Sequence, residues 1–544
     1  MTGSTSPLSK DETTVQVPTQ NKPTTTISAT SPSRWRTPEF YFYYVCFAFI
    51  VPYMFYVAHS LSKEYASRLS EGWIFGRKVV SLDNSDDQYA FFRNNLPKLI
   101  LLAIGFIGFT RCMTMFTLAT KKSRLYLLAS TSTAVIVGLH GTSALKIILI
   151  ISTSYAIGQI SGGSKLNPAL TWIFNLAILF LNEANNGYSY ANLHSGLAWM
   201  DQHSGIISRW HVLFNFVMLR LVSFNMDYYW QLQKPRAQYK IRIALIFLAN
   251  QPITTTSTLW PMSCIPLSIS VGQSSPTTTL YPRQMDVPSP HVTRKFIITY
   301  ALRLICVILL METTLHYIYV VAISKEKAWD GDTPLEFSMI GYFNLVIIWM
   351  KLLIPWRFFR LWALADGIWT EENMVRCMSN NFSAQRFWKS WHRTFNRWLI
   401  RYVYIPLGGA KYFMFNMWIV FTFVALWHDI ELKLLAWGWL ICLFLLPEII
   451  GSQIFSYSKY GNKSYYRFVC GIGAVGNILM MMIANLVGFC VGVDGMKDML
   501  SQIFGTANGL VFLVSVVCTL FVGVQVMFEI RESEKRRGDK KYLM

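Results

Sequence analysis

Long apolar runs recur along almost the whole chain, and they settle the fold class before any single residue is weighed. The stretches 41–58, 99–118, 296–323, 337–355, 432–450, 468–493 and 509–528 match, or nearly match, the roughly 20 residues that carry a helix across a bilayer. Shorter or more amphipathic runs lie at 125–139, 145–160, 170–181, 210–222 and 412–427. Charged residues are only 14% of the 544, against about a quarter in a soluble chain. The expectation is an all-α polytopic membrane protein with about ten to twelve transmembrane or re-entrant helices. The re-entrant ones must be shielded by protein or line a wet cavity.

The formal net charge is +20, which in a soluble protein would raise the question of nucleic acid. Here Lys and Arg gather in short segments such as the loop 121–124 and the tail 531–541. That pattern suits the positive-inside bias and anionic headgroups, so both segments are expected on the cytosolic side. No aromatic–basic RNA motif and no zinc-ligand spacing accompany them, and neither a nucleic-acid partner nor a metal is expected. The nine cysteines contain no Cys-x-x-Cys pair; most, including Cys46, Cys306, Cys442 and Cys518, fall inside apolar runs and read as buried structural thiols.

Residues 1–37 are rich in Ser, Thr and Pro without an apolar core, the composition of a disordered tail rather than a cleaved signal peptide. Residues 38–530 read as one membrane domain, and 531–544 as a basic C-terminal tail. A polar loop at 60–97 holds Gly72-Trp73-Ile74-Phe75-Gly76-Arg77-Lys78. No internal repeat of the transporter kind is visible.

Ionisable residues at membrane depth are functional candidates by default. His428 is the sharpest. It closes the apolar run 418–427 and is followed at once by Asp429, so it sits at or just inside the membrane surface, where an imidazole can take a proton near neutral pH. On position alone, an interfacial histidine that only hydrogen-bonds a neighbouring helix explains it better. His392 lies in a segment dense in Trp and Arg. If that segment is one helix, Arg386, Lys389, Arg393, Arg397 and Arg401 share a face and Trp388, Trp391, Phe395 and Trp398 line the next. Such a pair of stripes suits a helix at headgroup level, serving either phosphates of a coenzyme A or lipid, or ordinary snorkelling. Glu312 and His316, four apart in one span, can pair; Arg303, Arg220, Asn215 and Asn225 read as helix-packing groups.

The block 380–429 carries a resemblance. Phe387-Trp388 with Trp391-His392, then Arg401-Tyr402-Val403-Tyr404-Ile405-Pro406-Leu407-Gly408-Gly409, then Leu426-Trp427-His428 is similar to the signature of membrane-bound O-acyltransferases, and most to the fungal Gup (glycerol uptake) branch and its Hedgehog-acyltransferase relatives. The likeness extends to residues 72–78, to Leu352-Leu353-Ile354-Pro355-Trp356-Arg357 and to Phe528-Glu529-Ile530-Arg531. The resemblance implies a helical funnel, with His428 as the active-site base and His392 at the second active-site position. It implies acyl-CoA as donor substrate, with no bound cofactor. The acceptor is a lipid hydroxyl on a lysolipid or GPI-anchored protein, namely the sn-2 hydroxyl of a lyso-GPI anchor, and the donor chain is very long. Arg386, Lys389, Arg393, Asn396, Arg397, Arg401, Trp391, Trp427 and Asp429 are the expected substrate-binding set. The implied location is the endoplasmic reticulum membrane, with the plasma membrane as a second site. Two competing readings remain: a glycerol/proton transporter, motivated by Arg303, Glu312 and His316, and a catalytically silent scaffold.

Residues 252–292 depart from the pattern. They are rich in Ser, Thr and Pro where the family is apolar, and cannot span a bilayer. Shifting the reading frame by one base allows Gln273-Ser274-Ser275-Pro276-Thr277-Thr278-Thr279 to be read as Pro-Ile-Ile-Thr-Tyr-Asn-Asp, which resembles the family segment. The stretch reads first as a frameshift artefact, which would remove part of the tunnel wall, and second as a genuine divergent loop.

Overall fold

The computed structural model describes residues 32–64, 70–71, 81–116, 121–203, 205, 210–233 and 292–538. The tail up to residue 31, the loop motif 72–78, the anomalous stretch to residue 291 and the last six residues lie outside them. Eighteen helices occur among the described residues besides short 3₁₀ and π turns: α1 Pro38–Glu64, α2 Asp87–Phe116, α3 Lys121–His140, α4 Ser143–Ser161, α5 Leu166–Ala184, α6 Tyr190–Leu193, α7 Trp210–Leu232, α8 Arg294–Tyr317, α9 Val320–Lys325, α10 Pro334–Ala365, α11 Ala384–Ser390, α12 Arg393–Leu399, α13 Phe413–His428, α14 Leu432–Ile454, α15 Tyr457–Tyr460, α16 Tyr466–Phe489, α17 Gly492–Gly505 and α18 Ala507–Arg536. Two-residue strands Ser70–Glu71 and Ser81–Leu82 pair antiparallel. Nine of these helices are long and apolar enough to cross a membrane, namely α1, α2, α4, α8, α10, α13, α14, α16 and α18. Residues 121–124, read from sequence as a loop, open α3 instead.

α10 is the pillar. Its start is written locally: Thr333 accepts from the Glu336 amide, the Glu336 carboxylate accepts from the Thr333 amide, and Pro334 occupies the first turn. Its apolar residues then pack with α1, α2 and α8 in one core. A second core joins α4, α5 and α7 to α11–α14. The α4–α5–α7 contact is held by polar groups, which have no water to compete with inside a bilayer. Asn225 Nδ2 donates to the Ser154 carbonyl at 3.0 Å and to Thr171 Oγ1 at 3.1 Å. Gly158 makes room for it, since a Cβ there would lie 2.4 Å from Asn225 Oδ1.

The intramembrane charges read from sequence fall into two groups. Glu312 is tied down, accepting from Tyr89 Oη at 2.6 Å with Arg93 at 3.9 Å. His316 does not meet the Glu312 carboxylate; its Nδ1 lies 2.6 Å from the Glu312 carbonyl oxygen. Arg303 faces outward. None of the three lines the large cavity described next. Of the cysteines named above only Cys442 is buried; Cys306 and Cys518 are exposed, because both helices turn those faces to the hydrocarbon.

Candidate active site

A cavity of about 1450 Å³ lies between the two cores, walled by α1, α10, α13, α16, α17 and α18, and both candidate histidines open onto it. Its lining is overwhelmingly apolar, with a few polar groups such as Asn396, Asn485 and Lys351.

His428 reaches the cavity because α13 ends on it. Asp429 adopts an extended conformation, its amide closing the last turn on the Ala425 carbonyl at 3.1 Å. The neighbouring Trp427 faces the other way and locks that turn. Its Nε1 donates to the Asn215 carbonyl at 2.9 Å, Asn215 Nδ2 donates back to the Trp427 carbonyl at 3.4 Å, and Phe395 stacks on its ring at 4.6 Å. His428 is exposed and lines the cavity, with the Trp437 ring 6.2 Å away. Trp437 is itself wedged on Gly488, where a Cβ would come within 2.8 Å of it.

His392 arrives from a break. Residues 384–399 are two short helices, and His392 at the junction has φ 45° and ψ 48°. A left-handed conformation is uncommon for a residue with a Cβ and is held only when its surroundings over-determine it. Asn373 supplies that restraint: its carbonyl accepts from the Arg393 amide at 3.0 Å, and its Oδ1 accepts from the Thr394 amide at 3.1 Å and hydroxyl at 2.9 Å. The His392 ring packs between Trp356 at 5.0 Å and Trp391 at 5.4 Å, with its centroid 6.4 Å from that of His428. Among the described residues its Nδ1 is buried without a hydrogen-bond partner. Burial, with a smaller contribution from His428, pushes the His392 pKa down to about 3. Its imidazole is therefore neutral, with one ring nitrogen able to donate and the other to accept.

The break dismantles the cationic stripe expected from a single helix. Arg386, Lys389 and Arg393 instead gather with Arg376 and Arg531 around a small cleft of about 50 Å³, which shares Asn381 and Lys389 with the large cavity. Arg376 is paired bidentately with Glu534 at 2.9 and 2.7 Å. Arg393 and Arg397 share Glu371 at 3.9 and 2.5 Å. Arg401 is drawn off to Asp227 on α7 at 2.7 Å. Arg386 and Lys389 are exposed. The aromatic stripe is not at a headgroup surface either: Trp398 is fully buried, its Nε1 donating to the Leu219 carbonyl at 2.9 Å. Trp391 and Asn396 line the cavity, whereas Trp427 and Asp429 do not. Among the described residues no cluster of three His, Cys, Asp or Glu side chains is placed to hold a metal.

Two supporting residues escaped sequence reasoning. Asn373 and Trp437 orient or flank the histidines, but neither belongs to a periodic pattern; Asn215, read as a helix-packing group, braces the turn before His428, and Trp356, part of the 352–357 motif, packs on His392. Glu448 was equally invisible. It sits on α14 and accepts from Ser383 Oγ at 2.5 Å and the Ala384 amide at 2.7 Å, fixing the start of α11. The one available signal was the carboxylate within an apolar run.

Comparison with known proteins places this geometry in context. Residues 162–493 match the family described as MBOAT, membrane-bound O-acyltransferase. The chain is 45% identical to the membrane-bound O-acyltransferase GUP1 of Saccharomyces cerevisiae, over 94% of each chain. It is 39% identical to the membrane-bound O-acyltransferase gup1 of Schizosaccharomyces pombe, over 92% of this chain and 89% of the relative. A weaker likeness, 28% over 25% of this chain and 28% of the relative, reaches the mouse protein-cysteine N-palmitoyltransferase HHAT.

Proposed function

Because the chain belongs to the membrane-bound O-acyltransferase family, we propose that it transfers a very long acyl chain from acyl-CoA to the sn-2 hydroxyl of a lyso-GPI anchor in the endoplasmic reticulum membrane. The observation that carries this reading is the pair His428 and His392 opening onto one apolar cavity that runs to a basic cleft. The acceptor and the compartment follow from the resemblance to fungal Gup proteins.

The chemistry needs only these groups. Neutral His428 accepts the proton of the acceptor hydroxyl as its oxygen attacks the thioester carbonyl. The ester C–O bond forms, the C–S bond breaks, and the proton on His428 passes to the departing thiolate. His392 donates from a neutral ring toward the acceptor oxygen or the developing oxyanion, where a pre-placed donor in an apolar site is most effective. No acyl-enzyme intermediate is required.

The basic cleft suits the phosphates of coenzyme A, and Arg386 and Lys389 carry that role, since Arg393, Arg397 and Arg401 are already paired. Arg386→Gln or Lys389→Gln is expected to raise KM for acyl-CoA about three- to tenfold and spare kcat, the pattern of lost uniform binding. The salt dependence of KM should weaken as well, since exposed charges are screened beyond about 8–10 Å. A fall in kcat at constant KM would place these cations in the reaction itself. The functional assignment is tested by lipid analysis of cells lacking the protein: GPI anchors should accumulate as lyso species, and normal diacyl anchors would overturn it.

A further inference from the structure

Acyl transfer puts negative charge on the thioester carbonyl oxygen in its transition state, and an apolar cavity has few groups to receive it. A neutral imidazole carries one N–H. If His392 gives it to the acceptor oxygen, a second donor must face the oxyanion, fixed in place before the reaction starts. Several polar groups on the cavity wall are already engaged. Asn485 accepts from Trp437 Nε1 at 3.1 Å and donates to the Met481 carbonyl at 2.8 Å. Asn381 donates to the Cys377 carbonyl at 2.9 Å, Ser379 meets the Tyr342 hydroxyl at 3.1 Å, and Lys351 is paired with Asp86 at 2.5 Å.

Asn396 is different. It lies on α12, and its backbone amide closes the first turn of that helix on the His392 carbonyl at 2.9 Å. It is half-buried and lines the cavity together with His392, Phe395 and Leu399. Among the described residues no hydrogen bond engages its side-chain amide. The turn that carries it is rigid, because its neighbours are held from three sides. Thr394 is bonded to Asn373, Phe395 stacks on Trp427 at 4.6 Å, next to His428, and Trp398 Nε1 donates to the Leu219 carbonyl at 2.9 Å. An unengaged amide on a rigid apolar wall is the kind of sparse, placed polar group that fixes a ligand. Gln88 and Gln385, the other glutamine amides on the wall, come from the starts of α2 and α11 and not from the turn that follows His392. An amide also offers two N–H groups without titrating, so it can hold an oxyanion and keep its protons.

We propose that the Asn396 side-chain amide is the oxyanion donor of the site, which leaves His392 to hold the acceptor hydroxyl. This rests on the acyl-transfer reading. As the acceptor oxygen bonds to the thioester carbon, its proton passes to His428 and the carbonyl π pair moves onto the carbonyl oxygen, where the Asn396 N–H groups meet it. The pair returns as the C–S bond breaks, the thiolate takes the proton from His428, and Asn396 ends as it began.

The test uses the purified full-length chain in phospholipid vesicles, with acyl-CoA and a lysophospholipid acceptor. Asn396→Leu keeps the size and removes the donors; Asn396→Gln keeps the donors on a longer arm. Asn396→Leu is expected to lower kcat about 10²- to 10³-fold, with KM for both substrates within about twofold of wild type. Asn396→Gln should recover part of that loss. Two coenzyme A ligands separate charge stabilisation from packing. A thioether analogue, which has no carbonyl oxygen, should bind wild type and Asn396→Leu alike, showing that the variant is folded. A difluoroketone analogue, whose hydrated carbonyl is tetrahedral and readily ionised, should bind Asn396→Leu about 10²-fold more weakly, as a transition-state mimic must. Unchanged kcat, a rise in KM alone, or affinities for the two ligands that fall together overturn the assignment. Wild type that forms no ester contradicts the acyl-transfer reading itself, and the proposal falls with it. An active wild type beside an unimpaired Asn396→Leu removes Asn396 alone.

Discussion

His428→Ala is expected to lower turnover by about 10²- to 10⁴-fold, the range a positioned general base contributes, while acyl-CoA binding changes little. The imidazole lines the cavity, and among the described residues no hydrogen bond holds it; the turn is held by Trp427, Asn215 and Phe395. Removing the ring should therefore leave the fold in place. Asn215→Ala is the contrasting case. It removes the brace and leaves the base, so a smaller loss is expected, recoverable in part at higher acceptor concentration. The check is single-turnover acyl transfer alongside binding of a non-transferable thioether analogue of acyl-CoA. Undiminished turnover in His428→Ala would remove it from the chemistry.

The largest expected effect on stability is at Glu372→Ala. Its carboxylate accepts from Arg360 Nη1 at 2.8 Å and Tyr300 Oη at 3.2 Å, with Arg357 at 3.8 Å. Arg360 is almost entirely enclosed, and its guanidinium stacks over the Tyr300 ring at 4.7 Å. Deleting the anion strands two cations at the end of α10, and breaking a buried pair from one side costs about 3–5 kcal/mol. The damage should spread to the site, because Asn373, the next residue, is what holds His392 in its left-handed turn. Thermal unfolding of the purified chain in detergent, followed by tryptophan fluorescence, should show a melting temperature lower by several degrees. Glu372→Gln, which keeps the hydrogen bonds without the charge, should fall between. A wild-type melting temperature for Glu372→Ala contradicts this account of the ion cluster.

The sequence made the membrane-spanning character legible because it depends on composition and run length alone. His428 stood out as a titratable residue at the very end of an apolar run, but position alone favoured a packing role, and only the local motif around it made it the candidate base. The cationic stripe misled for the opposite reason. Spacings of three and four residues promise one face only if the helix is continuous, and it breaks at His392. What breaks it is Asn373, whose bonds to Arg393 and Thr394 cross from a separate loop. Arg401 likewise leaves the set because Asp227, far away in sequence, is a nearer partner. Local periodicity contains neither fact. The same holds for Trp437, whose place beside His428 depends on Gly488 of another helix. The middle of α1 reads simply as a span; its role as a cavity wall appears only when α10 and α18 stand beside it.

The central claim is acyl transfer at His428 and His392, and its most direct test is mass spectrometry of the product. The purified chain in phospholipid vesicles is supplied with a very-long-chain acyl-CoA and a lyso-GPI anchor, with glycerol uptake measured in the same vesicles. The account predicts a diacyl anchor carrying the new chain at sn-2, its formation lost in His428→Ala, and no protein-dependent glycerol flux. Glycerol flux without any acylated product would contradict it.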